Sequence, residues 1–298
     1  MSGPIRRALA AGREHWRHGP IDLVIQAWGD PGAVAAAYAA AWQRFTAVLG
    51  ELVHELASLK APVGATTQVR GPVAVRMVDA CLPFASGFIT PMAAVAGSVA
   101  DEMRQFFAVA GIARAYVNNG GDIALHLAPG QTLTVGVVPD AYRPSVDGGM
   151  VLDARSPVRG VATSGWRGRS FSLGIADSVT VLARSAAEAD AAATVIANAV
   201  YVDHPAIQRR HACDLKDDSD LGARLVTVAV GELPTRLAAD ALDRGAAVAD
   251  ELLGRDLILG AALALQGQWR CAGCAGLTAP REELPAQRPA QWPAPCAA

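Results

Sequence analysis

SAAEADAAATVIANAV, residues 185–200, carries the clearest helical pattern of this sequence. Ser185 and Glu188 form the Ser-x-x-Glu capping box that marks the start of a helix. A strand is predicted over residues 178–183, so it delivers the chain directly to this helix. The helix is rich in alanine.

The internal polar residues of this helix recur at a spacing of four: Asp190, Thr194 and Asn198. Residues four apart on a helix are neighbours, so the three side chains share one face. Short oxygen-bearing side chains among alanines favour a site for something small close to the backbone, and Mg²⁺ takes oxygen ligands. A magnesium site is one interpretation, and an ordinary polar helix face is the other.

Composition indicates a well-packed globular protein: of 298 residues, 52% are hydrophobic and 18% charged. The formal net charge of −2 gives no electrostatic reason to expect nucleic acid or an anionic membrane as a partner. The longest apolar runs fall short of the about 20 residues that a membrane-spanning helix needs. The first 19 residues lack the apolar core of a secretory signal, so a cytoplasmic location is expected.

Five cysteines, an odd number, argue against a disulfide framework. Cys271 and Cys274 form a lone Cys-x-x-Cys, which is half of a structural zinc site. A loop with two thiols is the favoured interpretation. A redox pair and a metal site between subunits are the alternatives.

The remaining pattern predicts alternating strands and helices. Thr90 is expected to cap a helix over residues 92–109, with Pro91 in its first turn. Residues 203–205 and 214–220 are expected to be solvated connections, and the proline-rich residues 278–298 a poorly ordered tail after a single domain, residues 1–277. Strands are predicted at residues 19–28, 72–79, 113–117, 123–127, 132–138, 158–162 and 225–230, helices at 33–59 and 234–253, and either at 256–266.

Two turns could hold an anion. In Asn118-Asn119-Gly120-Gly121-Asp122, residues that tolerate left-handed geometry turn the chain sharply, and successive amides in such a turn can bind an anion. A simple hairpin explains the same residues and is favoured on local grounds.

The second turn, Thr163-Ser164-Gly165, ends a predicted strand and is followed by Arg167 and Arg169. Small hydroxyl residues with two arginines behind them suit a phosphate or pyrophosphate. A basic surface turn is an equally good interpretation of this segment.

Six segments, in their order along the chain, resemble the UPF0280 branch of the ApbE superfamily, and the resemblance extends from about residue 21 to residue 266. No single segment is specific, but the ordered set is. The segments are Thr90-Pro-Met-Ala-Ala-Val-Ala-Gly97, Asn119-Gly-Gly-Asp122, Ala162-Thr-Ser-Gly165, Ser172-Leu-Gly-Ile-Ala-Asp177, Val179-Thr-Val181 and Ala189-Asp-Ala-Ala-Ala-Thr194.

The resemblance implies an α+β fold of two interleaved lobes, each with a mostly antiparallel sheet packed by helices, and a flavin-nucleotide cleft between them. ApbE proteins are magnesium-dependent transferases that cleave FAD and join FMN to a Ser or Thr of a client protein, releasing AMP. Asp190 and Thr194 match the metal ligands of the family. The nucleotide-binding turns of the family match Asn118, Asn119, Gly120, Gly121, Asp122, Thr163, Ser164 and Gly165.

One departure from the family concerns the expected reaction. Transferases usually carry a Ser-His pair between the Thr-Ser-Gly turn and the Val-Thr-Val strand, whereas this chain has Ser170-Phe-Ser-Leu-Gly174 there, without histidine. FMN transfer, FAD cleavage, flavin binding without chemistry, and an enzyme of the same fold acting on another small metabolite all stay open. The catalytic residues, the client protein and the oligomeric state are not predicted.

Overall fold

The computed structural model describes residues 3–137 and 148–273. Its main feature is a nine-stranded antiparallel sheet in the order β1-β2-β3-β4-β5-β8-β9-β12-β13. Two further antiparallel pairs, β6 with β7 and β10 with β11, stand apart from it. The strands are β1 (Ile5–Ala8), β2 (Arg13–His18), β3 (Ile21–Gly29), β4 (Ile112–Asn119), β5 (Asp122–Leu127), β6 (Thr132–Val137), β7 (Gly148–Asp153), β8 (Gly160–Ser164), β9 (Ser178–Ala183), β10 (Ile207–His211), β11 (Leu225–Val230), β12 (Gly260–Leu265) and β13 (Gln268–Ala272).

Helices pack on this sheet and on one another. The alanine-rich stretch after Ser185 forms α5, and the side chain of Ser185 accepts a hydrogen bond from Glu188 N, as the capping box predicts. The α-helices are α1 (Pro31–His54), α2 (Leu56–Lys60), α3 (Pro72–Cys81), α4 (Val95–Arg104), α5 (Ala186–Ala199), α6 (Ala212–Leu215) and α7 (Thr235–Gly254).

Two large hydrophobic cores lie along the sheet. The first includes Trp16, Phe45 and Met103 and joins α1, α3 and α4 to β2, β3 and β4. The second includes Ile196 and Leu242 and joins α5 and α7 to β9 and β12. The predicted α+β fold with antiparallel sheets is confirmed, and the strands of both cores belong to one continuous sheet.

The alanine content of α5 follows from how closely it packs. A Cβ at Gly160 in β8 would lie 2.0 Å from the carbonyl oxygen of Ser185, so the strand and the start of the helix touch backbone to backbone. Larger side chains would force these elements apart. Eight residues of α5 are buried: Ala186, Ala187, Ala189, Ala191, Ala192, Ala193, Ile196 and Ala197.

The strand predicted over residues 72–79 is wrong, because these residues form α3. Valines gave the segment strand composition, but its apolar side chains also recur at three- and four-residue steps, and Val73, Ala74, Met77 and Val78 are buried on that pattern. Pro72 occupies the first turn, where its missing N–H is tolerated. Tertiary packing overrides strand propensity here.

The helix predicted over residues 92–109 is shorter than expected. Residues Pro91–Ala94 form a 3₁₀ turn, α4 follows, and a second 3₁₀ turn spans Gln105–Phe107. Thr90 does not cap the helix: its side chain makes no capping hydrogen bond and its Oγ1 instead donates to Asp220 Oδ2 at 2.5 Å.

Further segments depart from the predicted pattern or add to it. Strands β1 and β2 were not predicted, and the ambiguous residues 256–266 contain β12. The connection at residues 214–220 is tied down by Lys60–Asp218 and Thr90–Asp220 contacts.

Among the described residues no helix is long and apolar enough to cross a membrane. Cys271 is exposed on β13, whereas Cys274 and the tail lie outside the described residues.

Candidate functional site

The polar face of α5 holds two other segments of the chain. At its start, Asp190 Oδ2 accepts a hydrogen bond of 3.0 Å from the backbone N–H of Gly97, at the beginning of α4. At its end, Asn198 Oδ1 accepts one of 2.8 Å from the N–H of Leu173. Thr194 lies half-buried between them. Asp190 and Asn198 therefore each bind the backbone of another segment, which the sequence pattern did not predict.

The segment Asn118–Asp122 is the turn of the β4–β5 hairpin, as the local pattern favoured. Gly120 and Gly121 have φ angles of 68° and 119°, in the region that only glycine adopts without strain. Asn118 Oδ1 closes the turn by accepting a hydrogen bond of 2.9 Å from Gly121 N. The hairpin places the residues of this turn in a fixed geometry.

Asn119 fastens this hairpin to the start of α4. Its Nδ2 donates to the carbonyl oxygen of Ala96 at 3.1 Å, and its Oδ1 accepts from Asp22 N at 3.4 Å. The residue is only 4% exposed. The side chain of Asn119 is therefore occupied within the protein, and any contact of the turn with a ligand falls to the backbone and to other side chains.

The carboxyl groups of Asp122 and Asp190 lie close enough for their charges to interact. Asp122 Oδ1 accepts a hydrogen bond of 3.3 Å from Thr163 N, which joins the hairpin to the end of β8. Burial raises the pKa of Asp122 to about 7, against the opposing effects of the Thr163 N–H and of Arg169. Burial also raises the pKa of Asp190, and the nearby charge of Asp122 raises it further. Two carboxylates in these positions repel each other, and a cation between them would relieve the repulsion.

The second turn contributes less to an open site than its composition suggests. Thr163 Oγ1 lies 2.9 Å from Thr180 Oγ1, so the two hydroxyl groups share a hydrogen bond. A Cβ at Gly165 would lie 2.5 Å from the carbonyl oxygen of Asp177, which shows that this glycine serves close backbone packing. Ser164 is half-buried beside them.

The two arginines of the basic turn differ in their surroundings. Arg167 Nε donates to Asp177 Oδ1 at 3.1 Å, so its charge is matched within the protein. Arg169 is exposed and its guanidinium lies against Gly120: a Cβ on that glycine would be 1.9 Å from Nη2. Arg169 is thus the cation beside the Gly-Gly turn. Sequence pattern indicated a basic turn but could not indicate which arginine reaches the hairpin.

The donor chemistry of this cluster fits Mg²⁺. Among the described residues no three His, Cys, Asp or Glu side chains form a group that could enclose a metal ion. Mg²⁺ does not need such a cage, because it commonly takes one or two carboxylates and completes its octahedron with water and substrate phosphates. Asp190, Asp122 and the hydroxyl of Thr194 offer only hard oxygen atoms.

Two cavities lie beside α3. One of about 520 Å³ is lined by Thr67, Arg70, Val75 and Asp79, among others, and none of its lining residues is a predicted site residue. A second, of about 350 Å³, is lined by residues of α3 and by Ser185, Ala187 and Glu188 at the start of α5. The candidate site is identified by the convergence of polar groups from four segments.

The fold and this cluster define an α+β protein in which two carboxyl groups, two tight turns and an arginine meet beside the start of a helix. The model of the family described as AbpE bacteria matches residues 6–271, so the chain belongs to this family. Membership of the UPF0280 branch of the ApbE superfamily, predicted from the ordered segments, is confirmed.

The relatives share part of the chain. A UPF0280 protein of Methanothermobacter thermautotrophicus is 38% identical over 163 residues, which are 54% of this chain and 62% of the relative. A UPF0280 protein of Methanopyrus kandleri is 38% identical over 148 residues, 49% of this chain and 56% of the relative. The matched region thus covers less than two thirds of either relative.

Solved structures of similar fold include flavin transferase ApbE from Vibrio cholerae, with a TM-score of 0.41, 13% identity, and coverage of 90% of this chain and 96% of that chain. An ApbE protein from Thermotoga maritima has a TM-score of 0.36, 18% identity, and coverage of 76% and 94%. At these scores the likeness carries no argument about function, and the family assignment depends on the sequence matches.

Proposed function

We propose that this protein is a magnesium-dependent enzyme acting on a flavin nucleotide, by FAD cleavage or by FMN transfer to a client protein. The observation that carries the proposal is the paired carboxyl groups of Asp122 and Asp190, because a dinucleotide brings phosphates that need a shared cation. The flavin is proposed from the resemblance of the six ordered segments to the ApbE superfamily, to which the chain belongs.

In this proposal Asp190 and Thr194 hold Mg²⁺, and Asp122 adds the second carboxylate. A bound Mg²⁺ would neutralise negative charge on the phosphates as it develops. Asp190 is suited to this role because Gly97 N–H fixes one of its oxygens. The residues of the cluster bind and orient the nucleotide, and none of them is assigned a proton-transfer role.

The phosphates of the nucleotide would lie beside the two turns, at Asn118–Asp122 and Thr163–Gly165. Gly120 has no side chain and Arg169 lies against it, whereas the N–H of Gly121 is already bound by Asn118 Oδ1. A guanidinium beside a glycine turn is a favourable place for a phosphate because both supply N–H donors. The alternative is that the same cluster binds a flavin nucleotide without chemistry, which the missing histidine at residues 170–174 favours.

The test is to incubate the purified protein with FAD and Mg²⁺ and to separate FAD, FMN and AMP by chromatography. AMP should appear with Mg²⁺ and not with excess chelator. In the Asp190→Asn variant, AMP release should fall at least about 100-fold, since even residues behind metal ligands commonly contribute 10- to 100-fold. Asparagine keeps an acceptor for Gly97 N–H, which protects the fold.

Asp243→Asn is the matched control, because Asp243 pairs with Arg270 on the surface. Its AMP release should equal that of the wild type. Saturable FAD binding without AMP release would mean that the protein binds a flavin nucleotide and does not cleave it. No FAD binding by the wild type would overturn both versions of the proposal.

A further inference from the structure

The starts of α4 and α5 pack closely against each other. A Cβ at Gly97 would lie 2.2 Å from the carbonyl oxygen of Ala186, so only glycine fits there. Both helices therefore direct their N-terminal N–H groups, which have no partner within the helix, towards the same region. Each end also carries the positive pole of a helix dipole, and two such poles at one contact require negative groups nearby.

Each helix supplies the carboxylate that binds the start of the other. Asp190, one turn after Ala186 on α5, accepts from Gly97 N at 3.0 Å. Asp101, one turn after Gly97 on α4, accepts from Ala187 N at 2.9 Å. The arrangement is reciprocal, and it uses residues 86 positions apart in the sequence for the second bond.

Asp101 is built into the interior. It is 3% exposed, and Arg104 Nε lies 3.6 Å from its Oδ1. It does not belong to the cluster around the two turns. Its bond is to the first turn of α5, and Ala187 precedes Asp190 by less than one turn of the helix. Any displacement of that first turn moves the carboxyl group of Asp190.

We infer that Asp101 is a positioning residue for the magnesium site: by binding Ala187 N–H it sets where α5 holds Asp190. This inference rests on the proposed function, because it takes Asp190 as a ligand of Mg²⁺. Asp101 itself does not contact the metal. Its contribution is the position of a ligand, as the groups behind metal ligands usually contribute.

The test is calorimetric titration of the full chain with MgCl₂. Asp101→Ala should weaken Mg²⁺ binding about 10-fold, whereas Asp101→Asn, which keeps an oxygen for Ala187 N–H, should weaken it less than about threefold. Asp101→Glu keeps the charge and moves the carboxylate by one methylene group. This variant should weaken Mg²⁺ binding about threefold, and it takes the place of the alanine variant if that variant does not fold.

Glu102→Gln is the matched control. Glu102 is the next residue of α4 and is 2% exposed, but it pairs with Arg44 and Arg76 and not with α5. It should bind Mg²⁺ with the same affinity as the wild type. Equal losses in the Asp101 and Glu102 variants, or wild-type affinity in both Asp101→Ala and Asp101→Glu, would overturn the inference. No Mg²⁺ binding by the wild type would instead overturn the proposed function on which it rests.

Discussion

Asp101 and Asp190 have the same local task and opposite electrostatic surroundings. Each accepts the first N–H groups of the other's helix. The charged neighbour of Asp101 is the cation Arg104, 3.6 Å away, whereas the charged neighbour of Asp190 is the anion Asp122. Burial raises the pKa of both carboxyl groups, but the charges of Arg104 and Arg76 oppose that rise at Asp101, whereas the charge of Asp122 adds to it at Asp190. Helix capping explains both residues, but only the surroundings of Asp190 call for a cation.

The largest effect is expected at the contact on which both caps depend. Gly97→Ala would place a Cβ 2.2 Å from the carbonyl oxygen of Ala186 and push the two helix starts apart. The free energy of unfolding should fall by about 3 kcal/mol, the upper end of the usual range for overpacking. Urea unfolding of the two proteins measures the difference.

Gly50→Ala is the control for this comparison. Gly50 lies inside α1, and a Cβ there would meet nothing within 4 Å. The change should stabilise the protein by about 0.5–1 kcal/mol, because alanine favours a helix over glycine. If Gly97→Ala were as well tolerated, the reciprocal contact would not be a constraint on either carboxylate.

The second effect concerns Asn198, which shares the face of α5 with Asp190. Asn198→Ala removes the acceptor for Leu173 N and Ser172 Oγ and should lower the free energy of unfolding by about 1–3 kcal/mol. Mg²⁺ affinity should stay within about threefold of the wild type, because the substitution frees the loop at Leu173 and leaves the proposed metal ligands in place. Unfolding and MgCl₂ titration of the same variant separate these outcomes. A large loss of Mg²⁺ affinity would mean that Asn198 also belongs to the metal site.

The third effect depends on pH and concerns Asp122. Burial raises the pKa of Asp122 to about 7, so the folded protein keeps a proton that the unfolded chain releases above about pH 4. The stability that this carboxyl group contributes to the folded protein is fully present below about pH 4 and is lost as the pH rises through about 7. In chelator, Asp122→Asn should therefore gain stability relative to the wild type between pH 5 and pH 8.

Unfolding free energies at several pH values in chelator measure this change. Mg²⁺ should remove much of the difference at pH 8, because the cation offsets the charge that destabilises the fold. A difference between the two proteins that does not vary with pH would mean that the carboxyl group of Asp122 is not perturbed, and the contrast between Asp101 and Asp190 would lose its basis.

The smallest effect is expected at Arg169. Arg169→Gln removes an exposed cation beside Gly120 and should weaken FAD binding about fivefold, the equivalent of about 1 kcal/mol for an exposed charge. Arg167→Gln should weaken it less, because Arg167 is matched by Asp177. Equilibrium titration of FAD fluorescence gives both values. Equal losses would mean that the basic turn acts through its total charge.

Local pattern was sufficient for part of this fold. Ser185 and Glu188 define the start of α5, and two glycines between Asn119 and Asp122 define a hairpin, because these signals act within a few residues. The same reasoning failed for α3, where valines indicated a strand and the packing of its apolar face made a helix. Propensity is weaker than burial in such a segment.

The residue pattern marked polar groups of the candidate site but not the hydrogen bonds between them. Asp190, Asp122 and Thr163 were expected at one site, and the structure brings them together. The bond from Asn119 to Ala96 and the bond from Asp101 to Ala187 join residues 23 and 86 positions apart. No local pattern marks such a partner, so Asp101 carried no signal in the sequence, and Asn198 was considered only a neighbour of the site.

The most direct test of the central claim is anomalous scattering from a crystal of the protein grown with FAD and with Mn²⁺ in place of Mg²⁺. We expect one strong anomalous peak within coordination distance of a carboxylate oxygen of Asp190 and of the hydroxyl of Thr194, with Asp122 facing it. A peak elsewhere, or bound FAD with no peak beside Asp190, would contradict the claim that this helix face holds the metal.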